Sequence, residues 1–505
     1  MIEKLISLVG KCFESNSSAE CDRRASRGVG GKIRVDFRAA VLTITRMRTI
    51  AVVFALAVLA AAGVWVMAGR AEGPVVEITE PAIVGQTGRL SVTVDTPGGA
   101  LTRFTVHVEQ EGVRTPLFEL SSADDPALSR VADDRVVFTR PLGKQDVPEL
   151  RAGTATVVVT AARPVLFGYR EAEAVASSDF EVRLTPPQIA VLSSFHYVNH
   201  GGSELVVYRA APADVESGVR VGEIEYPGFP ATGAGIETSD PALRVAFFAL
   251  LWNQPVDTPI QVFARDAYGN ESTAVFDYRV FPKQFRESRI SLDDRFLSRV
   301  VPAILRNSPE LDVEDPSDLL PAYLRINRDL RRMNNESISA LAAGTAPEIL
   351  WRGPFKQLIN TAVEAGFADQ RTYVYEGRDV DHQVHLGFDL ASTAAAPVLA
   401  ANRGRVVYAG WLGIYGNCVI IDHGMGLQSL YAHLSSIEVG VGDMVELEQR
   451  LGRTGATGLA GGDHLHFTML LGGQAITPID WWSAQWVEDR IMRKLREAGA
   501  PDSLD

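Results

Sequence analysis

His385-Leu-Gly-Phe-Asp389, Tyr431-Ala-His433-Leu434 and Asp463-His464-Leu465-His466-Phe467 are the stretches on which the reading of this 505-residue chain turns. They fall in a window, His382 to His466, that holds most of the chain's nine histidines. A strand sends successive side chains to opposite faces, so His385 and Asp389, four apart, share one face, as do His464 and His466. Two such strands side by side bring four polar groups to one point, among the apolar neighbours Val384, Leu386, Phe388, Leu465 and Phe467. Buried unpaired, each group would cost on the order of a few kcal/mol. A shared cation removes that cost, and imidazoles with a carboxylate suit Zn2+. A catalytic zinc takes three protein ligands and keeps a fourth position open, so one histidine is left over. Spacing leaves open which one.

Around these residues, short apolar runs with Gly-rich turns predict an antiparallel β domain over 346–485, followed by a helical tail, 486–505. Cys418, in Asn417-Cys-Val-Ile-Ile421, reads as a buried strand thiol. Working outward, residues 283–345 change period: Phe296, Leu297, Val300, Val301, Ile304 and Leu305 recur at three and four, and a second run starts near Pro321. This is a helical connector, either a spacer or a lid over the site. Two β-rich stretches precede it, 74–185 and 186–282, the second closed by a hairpin turning at Asp266-Ala-Tyr-Gly-Asn270. The expected fold class is therefore mainly β, with two immunoglobulin-like β-sandwich modules, the helical connector and the C-terminal β domain. His196 and His200, four apart, could share a strand face, but no Cys, Asp or Glu stands at ligand spacing, so structural roles are expected.

Thr49 to Gly69 carries no charge in 21 residues, enough to cross a bilayer core of about 30 Å. Residues 1–48 hold an excess of five positive charges, which orients their end to the cytoplasm and everything from Ala71 outward. These residues read as a disordered cytoplasmic tail or as a misassigned start, with Met47 opening an export signal. The expected placement is a single-pass inner-membrane protein. A net charge of −13 argues against nucleic-acid binding through a basic field. Cys12, Cys21 and Cys418 allow no disulfide within the outward part.

From about Pro354 to Trp482 the chain resembles the lysostaphin-type (LytM-like) zinc metalloendopeptidases. The resemblance runs through His385-Leu-Gly-Phe-Asp389, Ala396-Pro-Val-Leu-Ala-Ala401, Gly404-Arg-Val-Val, Tyr415-Gly-Asn417, Ile421-Asp-His-Gly424, Tyr431-Ala-His433-Leu434, Val439-Gly-Val-Gly-Asp443, Gly452-Arg-Thr-Gly-Ala-Thr-Gly458 and Gly462-Asp-His-Leu-His-Phe467. It implies zinc on His385, Asp389 and His466, and gives His433 and His464 to the reaction. It further implies peptidoglycan peptides as substrate and a DD-endopeptidase activity. The β modules read as spacers or as docking sites for envelope proteins. His423 is expected to be structural and His382 exposed. Asp463 stands where relatives often carry Pro or Ser. The competing reading is a non-enzymatic wall-binding or amidase-activating module with a structural zinc. The absence of a His-Glu-x-x-His helix argues against a general protease.

Overall fold

The computed structural model describes residues 37–96, 101–120 and 127–501; most of the N-terminal tail, with Cys12 and Cys21, and the end of the helical tail lie outside these. Phe37–Ala68 is one helix. Its segment Thr45–Ala68 has mean hydropathy 2.6 and none of it is buried against the described protein, so it is a candidate membrane anchor.

The rest is mainly β, in predominantly antiparallel sheets. Residues 75–182 form a four-stranded sheet (Val75–Glu80, Arg89–Asp95, Arg135–Pro141, Leu128–Ala132) packed on a five-stranded one (Ile83–Val84, Arg170–Val182, Gly153–Val165, Arg103–Gln110, Val113–Glu119). The period-two pattern explains the pairing: Leu90, Val92 and Val94 on one sheet meet Phe104, Val106, Val157 and Val159 on the other in one closed core.

Residues 188–281 form a second pair of four-stranded sheets, joined by a parallel two-stranded piece, His196–Asn199 with Tyr278–Phe281. The predicted closing hairpin is present. Asp266 Oδ1 accepts from the backbone N–H groups of Tyr268 and Asn270, and Gly269 takes φ 78°.

Here the structure departs from a string of independent units. One hydrophobic core runs from Val198 in the second sandwich to Leu495 and Ala500 at the C-terminus. Trp481, fully buried, packs on Phe247 at 5.8 Å and donates to Ser203 Oγ. Lys494 Nζ lies 2.7 Å from Glu204 Oε1, both buried. The sandwich that reads as a spacer, and the segment that reads as a tail, are two sides of the C-terminal domain's own core. Alternation shows that a strand has a buried face, but not which distant element covers it.

The same interface yields a pH prediction. Asp480 accepts from Asn199 Nδ2 at 2.8 Å, its second oxygen is buried without a partner, and burial raises its pKa to about 6. A carboxyl whose folded pKa lies above its unfolded value is favoured protonated, so stability falls as pH rises from about 4 to about 6 and stays lower above that. The shift corresponds to about 2–3 kcal/mol. Asp480→Asn keeps the acceptor for Asn199 and removes the charge. Its stability relative to the unsubstituted chain should rise by about 2 kcal/mol between pH 4 and pH 7, measured by urea unfolding at both. A difference flat with pH would contradict this.

The connector is also more than helical. Glu287–Leu292 is a strand, paired in parallel with Asp369–Tyr375 at the edge of a three-stranded sheet whose third strand ends at His385. Helix Asp294–Asn307 follows, capped by Asp293, whose Oδ1 accepts from Phe296 N–H at 2.7 Å. A second helical stretch, 319–342, runs through a π-turn at Ile326–Leu330 and packs on the C-terminal sheet. Ile338 lies among Cys418, Ile420, Leu430, Ala432 and Leu470. The segment is neither a free spacer nor remote from the histidines.

Candidate metal centre

The eight-stranded sheet of the C-terminal domain places Phe388–Ala391, Leu465–Leu471 and Leu427–Leu434 side by side, with Asp389 opposite His466 and Ala432 opposite His466 on its other flank. His385 ends a different strand, Arg378–His385, which pairs with Asp369–Tyr375. His385 and Asp389 therefore do not share a strand face as their even spacing suggests. The chain breaks at Gly387 and the two side chains converge from separate strands. A Cβ on Gly387 would lie 2.6 Å from the His466 ring and from Thr468 Oγ1, so only glycine lets the chain pass. Gly387→Ala should keep the fold but displace His466, weakening metal binding by roughly tenfold or more, as read by chelator competition with circular dichroism as the fold control.

Three atoms meet at the centre. His385 Nε2, His466 Nδ1 and Asp389 Oδ1 are separated by 2.9, 3.0 and 2.9 Å. The other ring nitrogens fix the tautomers. His385 Nδ1 faces the Gly366 carbonyl at 2.9 Å, which can only accept, so that nitrogen carries the proton. Thr468 Oγ1 donates to Leu386 O, leaving its lone pair for His466 Nε2–H at 3.0 Å. Both inward nitrogens are thus lone pairs, facing a carboxylate oxygen in a buried triangle. Three acceptors this close repel one another unless a cation lies between them. Ligands at about 2.0–2.1 Å around a tetrahedral metal lie about 3.3 Å apart, so the donor set fits such an ion with small adjustments. Among the described residues this is the group that could hold a metal.

The electrostatics agree. Burial opposes ionisation of Asp389, but the surrounding imidazoles, His385 foremost and then His464 and His466, hold its carboxyl well below the usual range. Arg371 reaches Asp389 Oδ2 at 3.2 Å and Asp369 Oδ2 at 3.3 Å, and Ser288 on the parallel edge strand donates to Asp369. The connector strand thereby braces a candidate ligand, a role with no signal in sequence because Arg371 and Ser288 belong to no motif.

His433 and His464 flank the triangle, with rings 4.9 Å apart. His433 Nδ1 donates to Thr457 O at 2.8 Å, so its Nε2 is the free acceptor. Burial, with the His464 and His466 rings beside it, holds His433 well below the ordinary imidazole range. Its φ of 63° is left-handed, a strained backbone kept at the site. His464 Nδ1 donates to Gly462 O, and its Nε2 stands 3.4 Å from Asp389 Oδ1. Burial opposes its charge, but the Asp389 carboxylate outweighs burial and raises its pKa. The glycines of this loop divide. Gly455 and Gly458 pack against backbone at distances no side chain would tolerate, whereas Gly461 and Gly462 face open space. Arg299 of the connector donates to Ala460 O and Gly461 O.

Beside the triangle, helix 319–342 and the sheet enclose a groove of about 500 Å³, lined among others by Arg331, Leu386, Tyr415 and Thr468.

The remaining histidines stand elsewhere. His423 is fully buried between Arg403 O and Ser429 Oγ, and His382 is exposed. His196 contacts Ser193 and Asp277 O, His200 contacts Gln254 O, and the two do not form a pair. Cys418 is buried among apolar side chains, which pushes its thiol pKa up.

Residues 383–478 match the model of peptidase family M23. The DD-carboxypeptidase/endopeptidase Mpg of Neisseria meningitidis serogroup B is 37% identical over 97 residues, 19% of this chain and 22% of that protein. The peptidoglycan DD-endopeptidase ShyB of Vibrio cholerae is 34% identical over 109 residues, 22% and 25% of the two chains. The murein hydrolase activator EnvC of Escherichia coli is 36% identical over 95 residues, 19% and 23%. The match spans about a quarter or less of each relative. The C-terminal region thus carries an M23 (LytM-like) domain, and the family together with the donor set supports a metal cofactor.

Proposed function

We propose that this M23 domain is a zinc endopeptidase that hydrolyses peptide cross-links of peptidoglycan, held outside the cytoplasmic membrane by the helix Thr45–Ala68. The observation that carries this reading is the buried triangle of three acceptors with two further histidines that are not part of it. A zinc ion held by His385, Asp389 and His466 supplies a Lewis acid and lowers the pKa of water toward about 7. The chain's own residues supply the proton transfers. His433, neutral and with Nε2 free, accepts a proton from the attacking water and delivers it to the leaving amine. His464, anchored through Nδ1 and favoured in its doubly protonated form by the Asp389 carboxylate, presents Nε2–H to the oxygen on which negative charge develops. Arg371 and Thr468 keep Asp389 and His466 in orientation.

The substrate reading is supported by the relatives named as DD-endopeptidases. Purified cross-linked muropeptide dimers provide the test. The full chain in detergent, given zinc, should convert the dimers to monomers with a new amino terminus at the cross-link. Intact dimers after prolonged incubation, alongside cleavage of casein, would overturn the substrate assignment.

A further inference from the structure

The hairpin formed by Gly153–Val165 and Arg170–Val182 is longer than the sheet that holds it. Its neighbour Arg103–Gln110 stops pairing at Arg103 opposite Ala162, while the hairpin continues to Val165 opposite Arg170. The projecting end is unlike a soluble turn. Phe167 is 99% exposed and Tyr169 80% exposed. Leu166 and Phe167 take φ of 53° and 56°, left-handed values that fix the turn at a cost of backbone strain. A soluble turn satisfies such positions with Gly, Asn or Asp. Here the chain places a bare aromatic ring there.

The projection points along the apolar helix. A Cβ on Gly73 would meet Glu173 O, and one on Gly69 would overlap the Arg170 guanidinium. Arg170 Nη1 donates to Trp65 O at 2.7 Å, and the guanidinium carbon Cζ lies 5.3 Å from the Trp65 ring centroid. Going from Glu173 to Arg170, the hairpin therefore passes from Gly73 back to Trp65. The turn carries Phe167 roughly 5 Å further in the same direction. Trp65 itself lies about 6 Å inside the end of the apolar run at Gly69.

We propose that the hairpin tip, Leu166 to Tyr169, is a membrane-docking element that seats Phe167 and Tyr169 in the outer headgroup region of the bilayer crossed by Thr45–Ala68. The proposal rests on the reading of that helix as membrane-spanning. Aromatic side chains favour this layer, where an apolar ring is taken out of water and a phenol stays wet. The Arg170 guanidinium, held on Trp65 O and over its ring, sets a cation beside this layer. Two attachments, helix and tip, would fix the tilt of the first sandwich on the membrane, where a single helix would let it swivel.

The full chain, with Cys12 and Cys21 replaced by serine and the buried Cys418 kept, is reconstituted into vesicles of phosphatidylcholine and phosphatidylglycerol. An environment-sensitive fluorophore is attached through Tyr169→Cys, Val58→Cys or Val113→Cys, with headgroup-nitroxide lipid as the quencher for 169 and 113 and acyl-chain-nitroxide lipid for 58. Val113 lies at the opposite end of the same sheet. Quenching at 169 should exceed that at 113 by at least threefold, and Phe167→Ser should reduce it to the level at 113. Equal quenching at 169 and 113, with acyl-chain nitroxide quenching retained at 58, overturns the docking proposal alone. Absence of quenching at both 58 and 169 overturns the membrane-helix reading with it. Shielding at 169 that needs envelope protein rather than lipid also overturns it.

Discussion

A His385→Ala chain is expected to lose its metal and, with it, at least 10³-fold in peptide-bond hydrolysis. The substitution leaves Asp389 Oδ1 and His466 Nδ1 facing each other at 2.9 Å with two ligands in place of three. The fold should persist, because Asp389 still has Arg371 and the strand that ends at His385 keeps its pairing with Asp369–Tyr375. Stability should therefore fall only by the metal's linkage contribution, about 3–4 kcal/mol for metal at 100–1,000 times its dissociation constant. Metal content by mass spectrometry and thermal melting with and without chelator check both parts. A substituted chain that retains one metal per chain would show that the triangle is not the metal site.

His433→Asn should behave oppositely, keeping the metal while losing turnover. Asparagine tolerates the left-handed φ of 63°, and its side-chain amide can still donate to Thr457 O. What it lacks is a nitrogen able to take and return a proton. General acid–base catalysis contributes typically 10²–10⁴-fold, about 3–5 kcal/mol of barrier. The expected result is a kcat lower by that factor, unchanged metal content, and loss of the acid limb of the kcat profile, which lies below the ordinary imidazole range. Unchanged kcat would remove His433 from the reaction. A chain that loses metal would place it among the ligands.

How far the sequence disclosed this arrangement depends on the range of the interaction. The apolar run from Thr49, the alternating strands around Leu90 and Phe104, and the Asp266–Asn270 turn are local, and the structure has each of them. The histidines are legible as a cluster, but strand parity is not what brings His385 and Asp389 together. Gly387 breaks the strand, and convergence comes from tertiary pairing. Long-range partnerships were not legible. Nothing in Trp481 or Leu495 announces that each completes the core of a sandwich nearly three hundred residues earlier. Ser288 and Arg371 brace Asp389 through a parallel pairing to a strand that period alone assigned to a helical connector. Hydrophobic pattern records which face of an element is buried, and leaves its partner undetermined.

This shared core also changes the meaning of the segments around the metal centre. Glu287–Leu292 extends the sheet carrying His385, Arg299 ties the helices to the loop before His464, and the second sandwich seals Trp481. A chain starting at residue 346 would lack all three supports, so the site is a property of residues 188–500 taken together.

The proposed role of the triangle of His385, Asp389 and His466 is to hold the metal for hydrolysis of wall peptides. It is tested most directly on purified sacculi with the full chain stripped by chelator and then titrated with zinc. The stripped protein should release no soluble muropeptides, recovery should saturate at one zinc per chain, and His385→Ala should show no recovery at any zinc level. Release by the stripped chain, or equal release by His385→Ala, would contradict it.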